Sequence, residues 1–233
     1  MKRWYLYPFS LGYHVVTSVR NTMYDWGISK SKSFKTPIIN VGNLSVGGSG
    51  KSPMVMYLAE LLSKNYRTGV LSRGYGRLTK GYGITNYDSN YKTVGDEAMQ
   101  LFERFRNKFV IGVSEDRVPG AKKMIDDMDL DVLVLDDAYQ HRAIKPGFNI
   151  LMTDYNDPYF KDFLLPAGDL RESRNGVKRA QIIMVSKCPE DLTAEKKQYY
   201  ISRIKPQHNQ KVFFSSIGYD ENIYAHNQFL PDN

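Results

Sequence analysis

The sequence predicts an α/β fold, a mostly parallel sheet with helices on both faces, preceded by an amphipathic N-terminal helix. Three observations carry this expectation. Short apolar runs alternate with helix-length amphipathic segments from residue 37 onward, the pattern of strands joined by crossover helices. The first strand-to-helix junction is rich in glycine. The chain has 233 residues, 42% hydrophobic and 24% charged, which suffices for a core without covalent staples. One cysteine, Cys188, excludes a disulfide framework and a four-cysteine zinc site. His14, His141, His208 and His226 lie too far apart in sequence for a local metal motif.

The elements follow in order. Residues 37–41 read as a strand, then a glycine-rich turn, then a helix over about 51–64. Strands are expected at 68–72, 109–113, 130–135, 149–153, 181–185 and 212–215. Helices are expected at 95–106, from about 116 with Pro119 in the first turn, and at 194–204. Residues 74–91, rich in Gly, Tyr and Asn, read as a long functional loop.

The formal net charge is +7, and five of those charges fall within the first 35 residues. A basic body would suggest nucleic acid. A basic start on a near-neutral body suggests a local anionic partner instead, such as a membrane surface, and no nucleic acid. The longest uncharged run, residues 4–19, spans 16 residues and is broken by Pro8 and Gly12. A spanning helix needs about 20 apolar residues, so none is expected here. Leu11, Val15, Val19, Met23 and Trp26 form one helical stripe, with Arg20, Asn21 and Asp25 off it. Such a helix either lies in a membrane interface or packs its stripe on its own domain. The chain is accordingly divided into an N-terminal membrane-associated helix, 1–30, and a core, 31–233.

Ile38-Ile39-Asn40-Val41-Gly42 leads into Ser45-Val46-Gly47-Gly48-Ser49-Gly50-Lys51-Ser52. A strand, a glycine-rich turn and a helix opening on Gly-Lys-Ser form the context of a phosphate-binding P-loop. Glycines let backbone N–H groups turn inward on phosphate oxygens, and the helix N-terminus adds its positive end. Lys51 can reach the outer phosphates of ATP, and the Ser52 hydroxyl can ligate Mg²⁺. Ser45 stands where the usual pattern has glycine. Leu133-Val134-Leu135 ends in Asp136-Asp137, placing carboxylates beside the metal at the sheet's C-terminal edge. The sequence leaves open which Asp is nearer. The fold is therefore P-loop NTPase-like. Ser186-Lys187 follows a strand where some such proteins contact a base, and no Asp follows two residues later, so guanine selectivity is not expected.

Five motifs in order resemble the tetraacyldisaccharide 4′-kinase family. They are Val41 through Pro53, Ser72-Arg73-Gly74-Tyr75-Gly76-Arg77, Val94-Gly95-Asp96-Glu97, Asp136-Asp137-Ala138-Tyr139-Gln140-His141, and Leu165-Pro166-Ala167-Gly168-Asp169-Leu170-Arg171-Glu172. The resemblance implies transfer of the γ-phosphate of ATP, with Mg²⁺, to the 4′-hydroxyl of a tetraacyldisaccharide 1-phosphate. The product would be lipid IVA, a lipid A precursor, made at the cytoplasmic face of the bacterial inner membrane. It implies Lys51, Asp96, Asp137 and Arg171 as catalytic residues, with Asp96 the base. Ser52, Asp136, Asp137 and Glu172 would hold the metal, and Ser45 through Ser52 the nucleotide. Arg73, Arg77, Gln140 and His141 would contact substrate. It also favours the membrane reading of the N-terminal helix.

Three departures stand out. Ala138 replaces a usual glycine and Asp169 a usual proline. Family members continue into an Asp-His-His motif, one His of which partners the catalytic Asp. Nothing after Val212 matches it, since neither His208 nor His226 follows an Asp. The C-terminal lobe is therefore expected to be incomplete. Two other readings remain at this stage. A dimeric positioning or assembly ATPase shares the Gly-Lys-Ser form but usually carries a Lys where Val46 stands. A nucleotide-binding membrane module would lack transfer activity.

Overall fold

The computed structural model describes residues 3–106 and 108–218. Helix α1 (Tyr7–Asp25) comes first. Strand β1 (Ile38–Asn43), helix α2 (Lys51–Leu62), strand β2 (Thr68–Ser72) and the short strand β3 (Gly83–Ile84) follow. Next come α3 (Tyr91–Val94), α4 (Asp96–Phe105), β4 (Val110–Val113), α5 (Arg117–Met128) and β5 (Val132–Asp136). The chain continues through β6 (Phe148–Asp154), β7 (Ile182–Cys188), α6 (Ala194–Ile204) and β8 (Lys211–Ser216). The strands form one sheet in the order β3-β4-β2-β5-β1-β6-β7-β8. Every pairing is parallel except β3 with β4.

The apolar strands explain the sheet. β2 and β5 are buried at every position, as strands covered on both faces must be. Alternation along β5 and β6 then assigns the two faces of the sheet, which carry three packed clusters. Val134, Ile150 and Met152 face Val55 and Ala59 of α2 and Leu101 of α4. Leu133 and Leu135 face Ala121 and Met124 of α5 on the opposite side. Leu151 and Ile183 pack with Tyr200 and Ile204 of α6. Local signals set the helix starts. Asp116 accepts from the Val118 N–H at 3.2 Å and Thr193 from the Lys196 N–H at 3.3 Å, satisfying donors that the first turn leaves open.

The expected strands and helices appear within two or three residues of their predicted ends. The stretch 74–91 differs from a plain loop. Gly83 and Ile84 pair antiparallel with Val113 and Gly112, which covers the exposed edge of β4. Two residues are too few to leave a periodic trace.

Helix α1 reverses the ordinary arrangement of an amphipathic helix. Its buried and half-buried positions are Ser10, Tyr13, His14, Thr17, Ser18, Asn21, Thr22 and Tyr24, a largely polar face. The apolar stripe points away from the domain, with Leu11 54%, Val15 60%, Val19 55% and Trp26 76% exposed. Ser10 Oγ donates to the Leu164 carbonyl and accepts from the Ala167 N–H, both at 3.0 Å. Among the described residues, no helix is long and apolar enough to cross a membrane.

Two glycines test this packing in opposite senses. A Cβ on Gly42 would lie 2.6 Å from Tyr139 Cβ, so Gly42→Ala should destabilise by about 1–3 kcal/mol. A Cβ on Gly12, in α1, would meet nothing within 4 Å. Gly12→Ala should not destabilise, and helix propensity favours it by up to ~1 kcal/mol. Urea midpoints of the two variants check both signs.

Candidate active site

The C-terminal ends of β1 and β5 open into a cleft of about 1100 Å³, the usual ligand position in an open parallel sheet. Its floor is the phosphate loop. Gly47 has φ of 116° and Gly50 a φ of 77°, conformations that favour glycine. An added Cβ at Gly47 or Gly48 would meet nothing within 4 Å, so the backbone there is open to an anion. Helix α2 begins at Lys51 and adds its positive end. Lys51 Nζ lies 3.4 Å from the Gly47 carbonyl and 3.8 Å from Asp137 Oδ1. Behind the loop, Ser186 Oγ at the end of β7 donates to the Ser49 carbonyl at 2.9 Å.

Val46, Gly47, Gly48, Ser49, Gly50, Lys51 and Ser52 line the cleft. Ser45 does not. It bridges Leu170 in an antiparallel pairing, flanked by Arg171 N donating to the Leu44 carbonyl and Val46 N to the Asp169 carbonyl, both at 2.7 Å. The expectation that Ser45 belongs to the nucleotide cradle is corrected accordingly. It joins the loop to the segment that carries Arg171.

Asp136 and Asp137 both reach the cleft. Asp137 has a positive φ of 49°, and Arg171 Nη1 grips its carboxylate at 2.9 and 3.1 Å. Asp136 is 3% exposed. Burial, reinforced by Glu97 and Asp137, pushes its pKa up to about 7. Arg117 lies wholly buried beneath it, with Nη2 donating to the Asp136 carbonyl at 3.2 Å; burial lowers this guanidinium to about 10. A hydroxyl at Ser52 and carboxylates at Asp136 and Asp137 are hard oxygen donors, a set that suits Mg²⁺. A divalent cation held there would offset the burial that makes the Asp136 carboxylate resist ionisation.

Arg73, Gln140 and His141 line the same cleft. Burial, with Arg117 and Arg73 nearby, lowers the His141 pKa. Two expectations need correction, those for Glu172 and Arg77. The Glu172 carboxylate, expected at the metal, is fully buried and engaged by donors on both oxygens. Arg179 Nη2 reaches them at 2.8 and 2.9 Å, Gln140 Nε2 donates to Oε1 at 3.0 Å, and Asn21 Nδ2 donates to Oε2 at 2.9 Å. Burial alone would lower the Arg179 pKa, but the Glu172 charge and hydrogen bonds outweigh it and raise it. Arg77, expected at substrate, has a side chain only 3% exposed, paired to Glu115 at 2.8 Å and donating to the Gly81 carbonyl at 2.5 Å. It clamps its own loop. Asp96 opens α4 as an exposed residue, and its neighbour Glu97 is the one that lines the cleft.

Residues given no role from the sequence complete the wall: Tyr13, Arg20 and Tyr24 from α1, with Tyr75, Glu97 and Arg142; Lys187, read from the sequence as near a base-contacting position, lines it too. Arg20 lay off the apolar stripe, the one signal that could have found it. Cationic side chains outnumber acidic ones around the cleft, which suits a polyanionic ligand.

The family model described as LpxK, tetraacyldisaccharide-1-P 4′-kinase, matches residues 2–225. The chain is 45% identical over 221 residues to the tetraacyldisaccharide 4′-kinase of Flavobacterium johnsoniae, covering 94% of the chain and 65% of that relative. It is also 45% identical over 217 residues to the Bacteroides thetaiotaomicron protein of the same name, covering 92% of the chain and 57% of that protein. It thus spans between about half and two-thirds of the length of these relatives. The crystal structure of LpxK from Aquifex aeolicus in complex with ATP superposes with a TM-score of 0.73 at 30% identity, over 97% of the chain and 86% of its own.

The raised Asp136 pKa gives a stability prediction. Between about pH 3.8 and 7 the folded protein keeps a proton that the unfolded chain releases. That contribution is fully present below the lower value and is lost as pH rises through the upper one. Without divalent cation, the melting temperature should therefore fall from pH 5 to 8. Asp136→Asn should remove much of that fall and melt higher than the parent at pH 8. Parallel pH profiles for the two proteins would show that burial does not oppose ionisation here.

Proposed function

The chain belongs to the tetraacyldisaccharide 4′-kinase family, and from that premise we propose that it transfers the γ-phosphate of ATP to the 4′-hydroxyl of a tetraacyldisaccharide 1-phosphate. One observation carries the proposal. The open phosphate loop, the Asp136-Asp137 pair and the Arg171 guanidinium converge on a single cleft, and one wall of that cleft is an amphipathic helix whose apolar face is turned outward.

The glycine backbone and Lys51 hold the outer phosphates. Ser52, Asp136 and Asp137 are the residues that would hold Mg²⁺, which when bound neutralises charge on the phosphates. Glu172 is outside that set. Phosphoryl transfer has a loose transition state, so fixed charge and alignment matter more than strong base catalysis. Arg171, oriented by Asp137, supplies such a charge. Asp96 orients the attacking hydroxyl and accepts its proton. Arg73, Gln140 and His141 face the acceptor, while Arg77 stays in its loop. The protein sits peripherally on an anionic membrane, the cytoplasmic face of the inner membrane, through the outward stripe of α1. Lys30, Lys32 and Lys35 add attraction to acidic lipid, worth ~1 kcal/mol each near such a surface.

Phosphate transfer tests the reading. With Mg²⁺, γ-labelled ATP and the disaccharide lipid in mixed micelles, label should enter the lipid. Lys51→Ala should abolish it, and Asp96→Ala should lower it by about 10²–10⁴-fold. A loss confined to Glu97→Ala would move the base by one residue. Nucleotide binding without any transfer would favour a membrane module over a kinase. For the membrane, Val15→Ser with Val19→Ser should weaken co-sedimentation with anionic vesicles, and unchanged sedimentation would refute the anchor.

A further inference from the structure

The polar face of α1 does more than fill space. Asn21 Nδ2 donates to Glu172 Oε2 at 2.9 Å, and Tyr13 Oη donates to the Arg171 carbonyl at 2.8 Å. From there the contacts run without a break. Gln140 Nε2 donates to Glu172 Oε1 at 3.0 Å, and Arg171 Nη1 approaches Gln140 Oε1 at 3.4 Å. The same Arg171 nitrogen holds Asp137 at 2.9 Å, and Asp137 lies 3.8 Å from Lys51 Nζ. A membrane anchor serving only to attach would need none of these bonds. An anchor seated by apolar packing would show its stripe inward, and here the stripe faces out.

Resting on the kinase reading above, we propose that Tyr13 and Asn21 are positioning residues for phosphoryl transfer, fixing Arg171 through its own carbonyl and through the Glu172 carboxylate. The Arg171 backbone has two tethers, its N–H on the Leu44 carbonyl and its carbonyl under Tyr13. Removing the second leaves the guanidinium held at its tip but loose at its root. Removing the Asn21 amide leaves one lone pair of a fully buried carboxylate without its donor. Either change should act on the transition state, where Arg171 charge counts, rather than on ATP binding, which the phosphate loop supplies.

The experiment compares the full chain with Tyr13→Phe and Asn21→Ala in detergent micelles, so that membrane attachment is not limiting. Each variant should lower kcat about tenfold, the factor that one lost hydrogen bond corresponds to. KM for ATP and co-sedimentation with anionic vesicles should stay as in the parent. Hydrogen–deuterium exchange supplies a readout that does not need turnover. Asn21→Ala should speed exchange in residues 168–173 about tenfold and leave β1 and β5 unchanged. Unaltered kcat in both variants, or a rise in KM for ATP in place of a fall in kcat, overturns the proposal. So does unaltered exchange in 168–173. A parent that binds ATP but transfers nothing defeats the kinase reading instead, and the exchange experiment then still decides whether α1 holds this segment.

Discussion

A fully buried carboxylate must be paired or it unfolds the structure around it, and Glu172 is where this chain meets that demand. Two of its partners come from remote places, Asn21 on α1 and Gln140 after β5, and the third, Arg179, lies seven residues on, before β7. Satisfying one charge thus joins the helix, the strand end that carries the acidic pair, and the segment that follows the cleft. Arg179 also stacks 4.7 Å over the Tyr139 ring, whose hydroxyl donates to the Gly176 carbonyl at 2.8 Å. These bonds hold the segment that runs from Glu172 to Arg179. Just before it, Arg171 and Asp169 pair with Leu44 and Val46, which sets the phosphate loop against the segment that reaches over it.

The cleft itself holds charge under tension of both signs. Asp136 lies in low dielectric beside Glu97 and Asp137 and resists ionisation. Arg117 beneath it resists protonation for the same reason. Across the cleft, Lys51 and Arg171 share Asp137. In the proposed transfer, groups already fixed in this way would need little rearrangement as charge develops on the phosphoryl, which is how preorganised sites lower a barrier.

Much of this was readable from the residues, and the exceptions have a common cause. The strands at 68–72 and 132–136 announce themselves because both faces are covered and their centres are apolar, Val70-Leu71 in one and Val132 through Leu135 in the other. The phosphate loop announces itself because its chemistry is local, a few glycines before Lys51. Glu172 and Arg77 were misjudged because their partners, Arg179 and Asn21 for one and Glu115 for the other, are set by tertiary packing. Asp96 and Glu97 are adjacent on a helix start, where one residue turns a side chain by about 100°, so a motif alone does not say which faces the cleft. The periodicity of α1 located its stripe but gave no direction to it. Apolar stripes point inward as a rule, and here the polar side found better partners.

The seam between α1 and the body is built from hydrogen bonds, and that sets what a lipid can do to it. Acyl chains carry no donors or acceptors, so they would compete for the outward stripe and leave the seam intact. If α1 attaches the protein to a bilayer as proposed, detergent should strip it off without peeling the helix from the protein. The geometry follows as well. Tyr13, Arg20 and Tyr24 face the cleft from the same helix whose other side presents Val15 and Val19. A helix with its side chains is about 10 Å across. If α1 lies on a membrane as proposed, the cleft would ride a single helix width above the hydrocarbon, at the level where the sugar of an acylated acceptor would sit.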